Sequence, residues 1–181
     1  MHKVIEKFIL YSNLLMIDLD EELKKRFLTK TDFNLEELIS KIAVTVSSEC
    51  NRNNDLVLEV EPLEVSLCEE LISYALTHLI DNAFKFSSEG ARVFVSGKNG
   101  ASGYEITIAD TGIGMNKNQL KELSALKQVD REKLNQSGNG LGLAISFKSL
   151  EYLGSKINFE SELNKGTKVC FIINSDMFKK I

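Results

Sequence analysis

The sequence predicts an α+β fold, a layered sandwich of helices against a sheet, and three observations carry that prediction. Apolar residues recur at spacings of three and four in several long segments, as in amphipathic helices. Between these lie short stretches of alternating apolar and polar residues, as in half-buried strands. The segments come as helices and hairpins rather than as a regular strand–helix–strand series, which argues against a parallel doubly wound sheet.

Residues 3 to 25 read as one long helix, with Ile5, Phe8, Ile9, Ser12, Leu15, Met16, Leu19 and Leu23 on a mostly apolar stripe. A lone helix cannot bury that stripe, so it must pack on the main domain, on a partner helix or on a second copy of itself. Phe27 to Phe33 breaks the pattern and reads as a linker. A second helix starts near Asn34, an N-cap with Glu37 three residues on, and Leu35, Leu38, Ile39, Ile42 and Val46 form its core face. The polar run Glu49 to Asp55 ends it, Leu56 to Val60 alternates as a strand, and Pro62 marks the next turn. Ser66 and Glu69 have the spacing of a capping box opening a third helix, Leu67 to about Phe86. Val93 and Val95, then Ile106 and Ile108, mark two strands joined by a hairpin between Lys98 and Gly103, where Asn99-Gly100 is the turn signal. Poorly periodic helical sequence runs from Asn116 to Lys133. A helix follows Gly138-Asn139-Gly140 to about Leu153, and strands around Ile157–Phe159 and Val169–Ile173 close the chain.

With 181 residues, 43% hydrophobic and 27% charged, this is a globular chain of one ordinary domain plus a small appendage. A net charge of -4 argues against a nucleic-acid backbone as partner. No apolar run reaches the roughly 18 residues of a membrane span, and the N-terminus lacks a signal-peptide pattern. Cys50, Cys68 and Cys170 are odd in number and widely separated, which predicts reduced thiols in a cytoplasmic protein. The only histidines, His2 and His78, leave too few ligands for a structural zinc.

Three segments carry chemistry. On the third helix a polar stripe, His78, Asp81, Asn82 and Lys85, runs at i, i+3, i+4 and i+7, which places all four on one face. Taken alone, such a stripe is more often a solvated surface. Asp110-Thr111-Gly112-Ile113-Gly114 follows a strand directly; its carboxylate can accept from an exocyclic amine, and its glycines let the backbone turn tightly and approach a planar ligand. Gly138-Asn139-Gly140-Leu141-Gly142-Leu143 opens a helix, where free backbone N–H groups suit phosphate. It lacks the Lys-Ser/Thr of a P-loop and does not follow the first strand of a dinucleotide fold.

In this order the segments resemble the N box (Thr77 to Ser87), G1 box (Asp110 to Gly114) and G2 box (Gly138 to Leu143) of histidine-kinase ATPase domains, in the superfamily shared with gyrase, heat-shock and mismatch-repair ATPases. Gly166-Thr167 is similar to the family's closing Gly-Thr element. Asp81 to Ser87 and Gln128 to Arg131 look like sensor kinases that carry a receiver domain. The resemblance spans about residues 34 to 175. It implies a mixed, mainly antiparallel sheet covered on one face by about three helices and preceded by the long N-terminal helix.

It further implies binding of ATP with Mg²⁺: Asn82 as the metal ligand, Lys85 on the phosphates, Asp110 on the adenine amine with Gly112, Gly114 and Met115 beside it, and Thr167 near the base. Gly138, Gly140, Leu141, Gly142 and Leu143 form the phosphate cradle at an ATP lid of about 116–139, and Arg131 reaches the γ-phosphate. Residues 1–30 resemble the remnant of a dimerisation and phosphotransfer hairpin plus linker, and 31–181 the ATPase domain. The implied partners are a histidine phospho-acceptor domain, a response-regulator receiver domain and a second copy bound through the N-terminal helix. The sequence departs from the family at His78, where relatives carry Glu or Asn, and at Val129, where they carry Phe; no phospho-acceptor box is present. Two readings of His78 stay open, a proton acceptor and a neutral structural group. Rival functions are a regulatory nucleotide-binding module without transfer and an anti-sigma-type serine kinase.

Overall fold

The structure is a computed structural model and describes residues 2–126 and 140–179. Its main sheet has five strands, β2 (Leu56–Val60), β4 (Val93–Gly100), β5 (Gly103–Asp110), β6 (Asn158–Glu162) and β7 (Gly166–Ile173), in the order β2-β4-β5-β7-β6. β2 runs parallel to β4 and every other pairing is antiparallel. Alternation decides which face is covered. Val93, Val95, Ile106, Ile108, Val169 and Phe171 are buried, whereas Phe94, Glu105 and Lys168 on the other face are exposed. Three helices lie with the buried face: α3 (Leu35–Glu49), α4 (Glu69–Lys85) and α6 (Gly140–Tyr152), with α4 in the middle, packed against both others. This is the α+β sandwich the sequence predicts.

The N-terminal region differs from expectation. Instead of one helix over 3–25, α1 (His2–Met16) ends in a 3₁₀ turn, and α2 (Glu21–Leu28) starts afresh. The break has a local cause: the Asp20 carboxylate accepts from the Glu22 and Leu23 N–H groups at 2.9 and 3.0 Å, capping a new helix. The break also changes which residues are buried. Leu14, Ile17 and Phe27 are fully buried, while Ile5, Phe8, Ile9, Met16 and Leu19 of the predicted stripe are exposed.

The expected linker at 27–33 also carries structure. Phe27 packs against Tyr74 of α4, with ring centroids 6.5 Å apart, and β1 (Thr31–Asn34) pairs with β3 (Glu64–Leu67) in a second, two-stranded sheet. Ser66 therefore lies in a strand, where its hydroxyl serves Asp32, and α4 starts after Cys68 with no side-chain cap. The Ser66–Glu69 capping box does not form. The Asn34 cap does, accepting from the Glu37 N–H at 3.1 Å. The hairpin turns at Ala101-Ser102, so Asn99-Gly100 ends a strand rather than making the turn.

Candidate functional site

A cavity of about 230 Å³ opens where α4, β5, β7, α5 (Lys117–Leu126) and the start of α6 meet. Its walls are mostly apolar, from Leu79, Ala83, Ile108, Ile113, Leu143, Phe159 and Val169. Against them stand a few polar groups: Asn82 from α4, Asp110 from the end of β5, Gln119 from α5 and Thr167 from β7. An apolar slot with convergent polar groups is the usual form of a site for a planar small molecule.

Asp110 and Thr167 are paired in the β5–β7 ladder, so sheet register alone sets them side by side. The Asp110 carboxylate accepts from the Gly112 N–H at 2.8 Å and from the Thr167 N–H. Burial nevertheless holds its pKa above the ordinary carboxylate value, the larger effect, with the two N–H groups pulling the other way.

The loop after Asp110 is stitched to its surroundings by backbone. Ile113 N–H donates to the Phe86 carbonyl at 3.0 Å, Asn164 N–H to the Ile113 carbonyl at 2.7 Å, and Met115 N–H to the Ser161 hydroxyl at 2.8 Å. These contacts revise the expected role of the glycines. A Cβ on Gly112 would stand 2.1 Å from the Phe86 carbonyl oxygen, and one on Gly114, at φ 60°, 2.0 Å from that of Glu162. The space that glycine leaves is filled by the protein's own backbone, which locks the loop between α4 and the β6–β7 hairpin.

Sequence reading missed the group that fixes the far end of α4. Arg52, nearly buried, sends Nη1 to the carbonyls of Phe84 and Ser87 at 2.7 and 3.0 Å and Nη2 to those of Ser88 and Ala91 at 2.6 and 2.8 Å. Its Nε meets Asp55 at 2.7 Å, and its plane lies 5.1 Å from the Phe84 ring centroid. The guanidinium thus satisfies carbonyls that the helix end leaves without partners. It also braces the segment carrying Phe86, whose carbonyl anchors the Asp110 loop. In sequence, Arg52 sits in a polar run with no local signal of this role; the contacts lie more than 30 residues away. Ser161 carries no local signal either: the N–H that its hydroxyl accepts, that of Met115, lies 46 residues away.

The polar stripe on α4 divides. Asn82 lines the Asp110 cavity, whereas His78 and Asp81 line a second, broader groove of about 740 Å³ between α1, α3 and α4. Lys85 is exposed at the helix end, its ammonium 5.6 Å from the Phe86 ring centroid. Successive helical residues are turned by about 100°, so four residues at i, i+3, i+4 and i+7 make a band wide enough to straddle a ridge. His78 is 7% exposed and its imidazole is pushed down to about 4, chiefly by burial and then by Lys7. Gly142 of α6 sits against it, its hypothetical Cβ 3.4 Å from the ring. Among the remaining expected residues, Met115 and Leu143 line the Asp110 cavity, Leu141 packs on the core, and Gly140 begins α6. Val129, Arg131 and Gly138, with much of the expected lid, lie outside the described residues.

Residues 68–177 match the family described as histidine kinase-, DNA gyrase B- and HSP90-like ATPase. The chain belongs to this family. Among curated relatives, the sensor protein DegM of a Bacillus species is 28% identical over 170 residues, covering 88% of this chain and 44% of DegM. The sensor histidine kinase GacS of Pseudomonas protegens is 29% identical, covering 84% of the chain and 18% of GacS. The chain thus spans less than half the length of the curated relatives it matches here. Two solved structures share the ATPase fold: full-length ShkA in complex with AMPPNP, at 19% identity and TM-score 0.74 over 93% of this chain and 34% of that one, and the mycobacterial sensor histidine kinase MprB, at 24% and 0.63 over 81% and 97%. Among the described residues no helix is long and apolar enough to cross a membrane.

Proposed function

We propose that the chain binds ATP with Mg²⁺ in the Asp110 cavity and acts as the catalytic domain of a cytoplasmic sensor histidine kinase. The observation that carries this reading is the convergence of Asn82, Asp110 and Thr167 on one apolar slot, from three elements far apart in sequence. The slot would take the adenine, with Asp110 and Thr167 accepting from its amine. Asn82, which lines the slot, would hold Mg²⁺ through its side-chain oxygen, a hard donor suited to that ion. Bound Mg²⁺ would offset phosphate charge as the γ-phosphoryl group leaves. Lys85 adds a cation and the start of α6, with Gly138, Gly140 and Gly142, backbone N–H donors; Arg131 completes the γ-phosphate contacts.

The γ-phosphoryl group then passes to a histidine outside residues 1–181 and on to a receiver-domain aspartate, with catalysis resting on positioning. Residues 1–30 serve as part of a dimerisation hairpin, and the exposed Ile5, Phe8 and Ile9 supply its apolar face.

One observation favours a second reading, a nucleotide-binding regulatory module without transfer: His78, where a catalytic base would stand, is a weak base in the other groove. Nucleotide titration separates these readings from no binding at all. Asp110→Ala should weaken ATP binding more than 100-fold (about 3 kcal/mol), whereas Asn82→Ala should remove mainly the Mg²⁺ dependence. Equal affinity in wild type and both variants refutes the site. Labelled ATP mixed with a cognate phosphotransfer domain then distinguishes kinase from module, since only the kinase labels histidine.

A further inference from the structure

Ser161 of β6 is the cross-strand partner of Thr167, which lines the cavity beside Asp110, and its hydroxyl is fully committed. It accepts from the Met115 N–H at 2.8 Å, stands 2.8 Å from the Gly166 carbonyl oxygen and 2.9 Å from the Thr167 hydroxyl. A hydroxyl has one proton and two lone pairs. The Gly166 carbonyl has no proton to give, so at 2.8 Å the contact is favourable only if Ser161 donates to it. The Ser161 proton being spent there, the Thr167 hydroxyl must be the donor in the contact between them. Ser161 then has every position filled, and Thr167 keeps only lone pairs for anything else that reaches it.

From this proton count we infer that Ser161 sets the polarity of the pocket: it holds Thr167 as a hydrogen-bond acceptor and so selects a 6-amino purine over a 6-oxo purine. The inference rests on the Asp110 cavity being the base site. The neighbouring Asp110 carboxylate is held as an acceptor too, because the N–H groups of Gly112 and Thr167 are already turned onto it. Two acceptors face the ligand together. An amino group satisfies both, whereas a carbonyl oxygen in the same place meets lone pairs only, and a mismatch of this kind discriminates far better than shape does.

The test compares the affinities of ATP and inosine triphosphate for the whole chain, wild type and variants. Removing the Ser161 hydroxyl frees the Thr167 proton to turn into the pocket and meet a 6-oxo group. Ser161→Ala should therefore cut the preference for ATP about tenfold, chiefly by improving inosine triphosphate binding. Ser161→Thr, which keeps the hydroxyl, should retain the preference. Adding Ser161→Ala to Thr167→Val should leave the ratio where Thr167→Val alone puts it. Equal weakening of both nucleotides by Ser161→Ala, or an unchanged ratio, makes Ser161 merely structural and overturns the inference. If Ser161→Ala fails to fold, Thr167→Val decides: an unaltered ratio there overturns it as well. A wild-type chain that binds neither nucleotide sinks the base-site reading itself, a different failure from a chain that binds both without the predicted switch.

Discussion

Two depressions flank α4, and they are built on opposite terms. The Asp110 cavity is narrow, apolar and framed by backbone hydrogen bonds that hold its loop against the end of α4. The groove beneath α1 is wide and lined by charges, Glu6, Lys7, Lys41, Glu49 and Asp81, around a buried histidine. In the first, a carboxylate is kept in place although burial raises its pKa; in the second, burial keeps an imidazole neutral. An apolar slot with anchored acceptors selects a ligand by hydrogen bonding. The groove, broad and lined by both signs of charge, lies beside the exposed apolar face of α1.

Substitution at Gly112 tests the contrast most severely. Gly112→Ala places a methyl against the Phe86 carbonyl, so the loop must shift. Thermal or denaturant unfolding should show a loss of about 3 kcal/mol, and nucleotide titration a weaker site. Unchanged stability would mean the loop is not locked as described.

The groove is sharpened by pH. His78 has a folded pKa of about 4, below the ordinary 6.5, so the unfolded chain takes up the proton first as pH falls. The stability that neutral His78 allows is present above pH 6.5 and is lost as pH falls toward 4, by about 3 kcal/mol in all. Asp110 works in the opposite sense: its raised pKa favours the fold at acid pH, and that contribution disappears as pH rises through its folded value. Urea unfolding at pH 7 and pH 4.5 should therefore show a smaller drop for His78→Asn than for wild type. An equal drop would place the histidine in solvent.

The smallest effect is expected on α1. Phe8, 55% exposed, contributes little to the fold of an isolated chain, so Phe8→Ser should change stability by less than about 0.5 kcal/mol. Nucleotide affinity should not move. Sedimentation should register the change if α1 carries the contact between copies; a large loss of stability would mean the exposed face is packed in solution.

Local signals in the sequence were strong where the chemistry is local. The period-two strands at Leu56–Val60 and β5, the Asn34 cap and the long α4 were legible because neighbouring residues alone dictate them. Asp20 was equally local, yet the helical periodicity running across it hid the break in the first helix. The Ser66–Glu69 pair shows the converse: its spacing fits a helix cap, but pairing of β3 with β1 takes Ser66 into a strand.

By itself the sequence determined the order of the main-sheet strands and of α3, α4 and α6, because periodicity, capping and glycine placement act over a few residues. The residue types that meet at the cavity were legible only through the family resemblance of three motifs taken in order. Tertiary structure alone decided that His78 and Asn82 part company, that Arg52 braces the end of α4, and that Ser161 meets the Met115 N–H. Those outcomes depend on which surface packs against a helix and which strands share a register, and such contacts join residues that no local spacing relates.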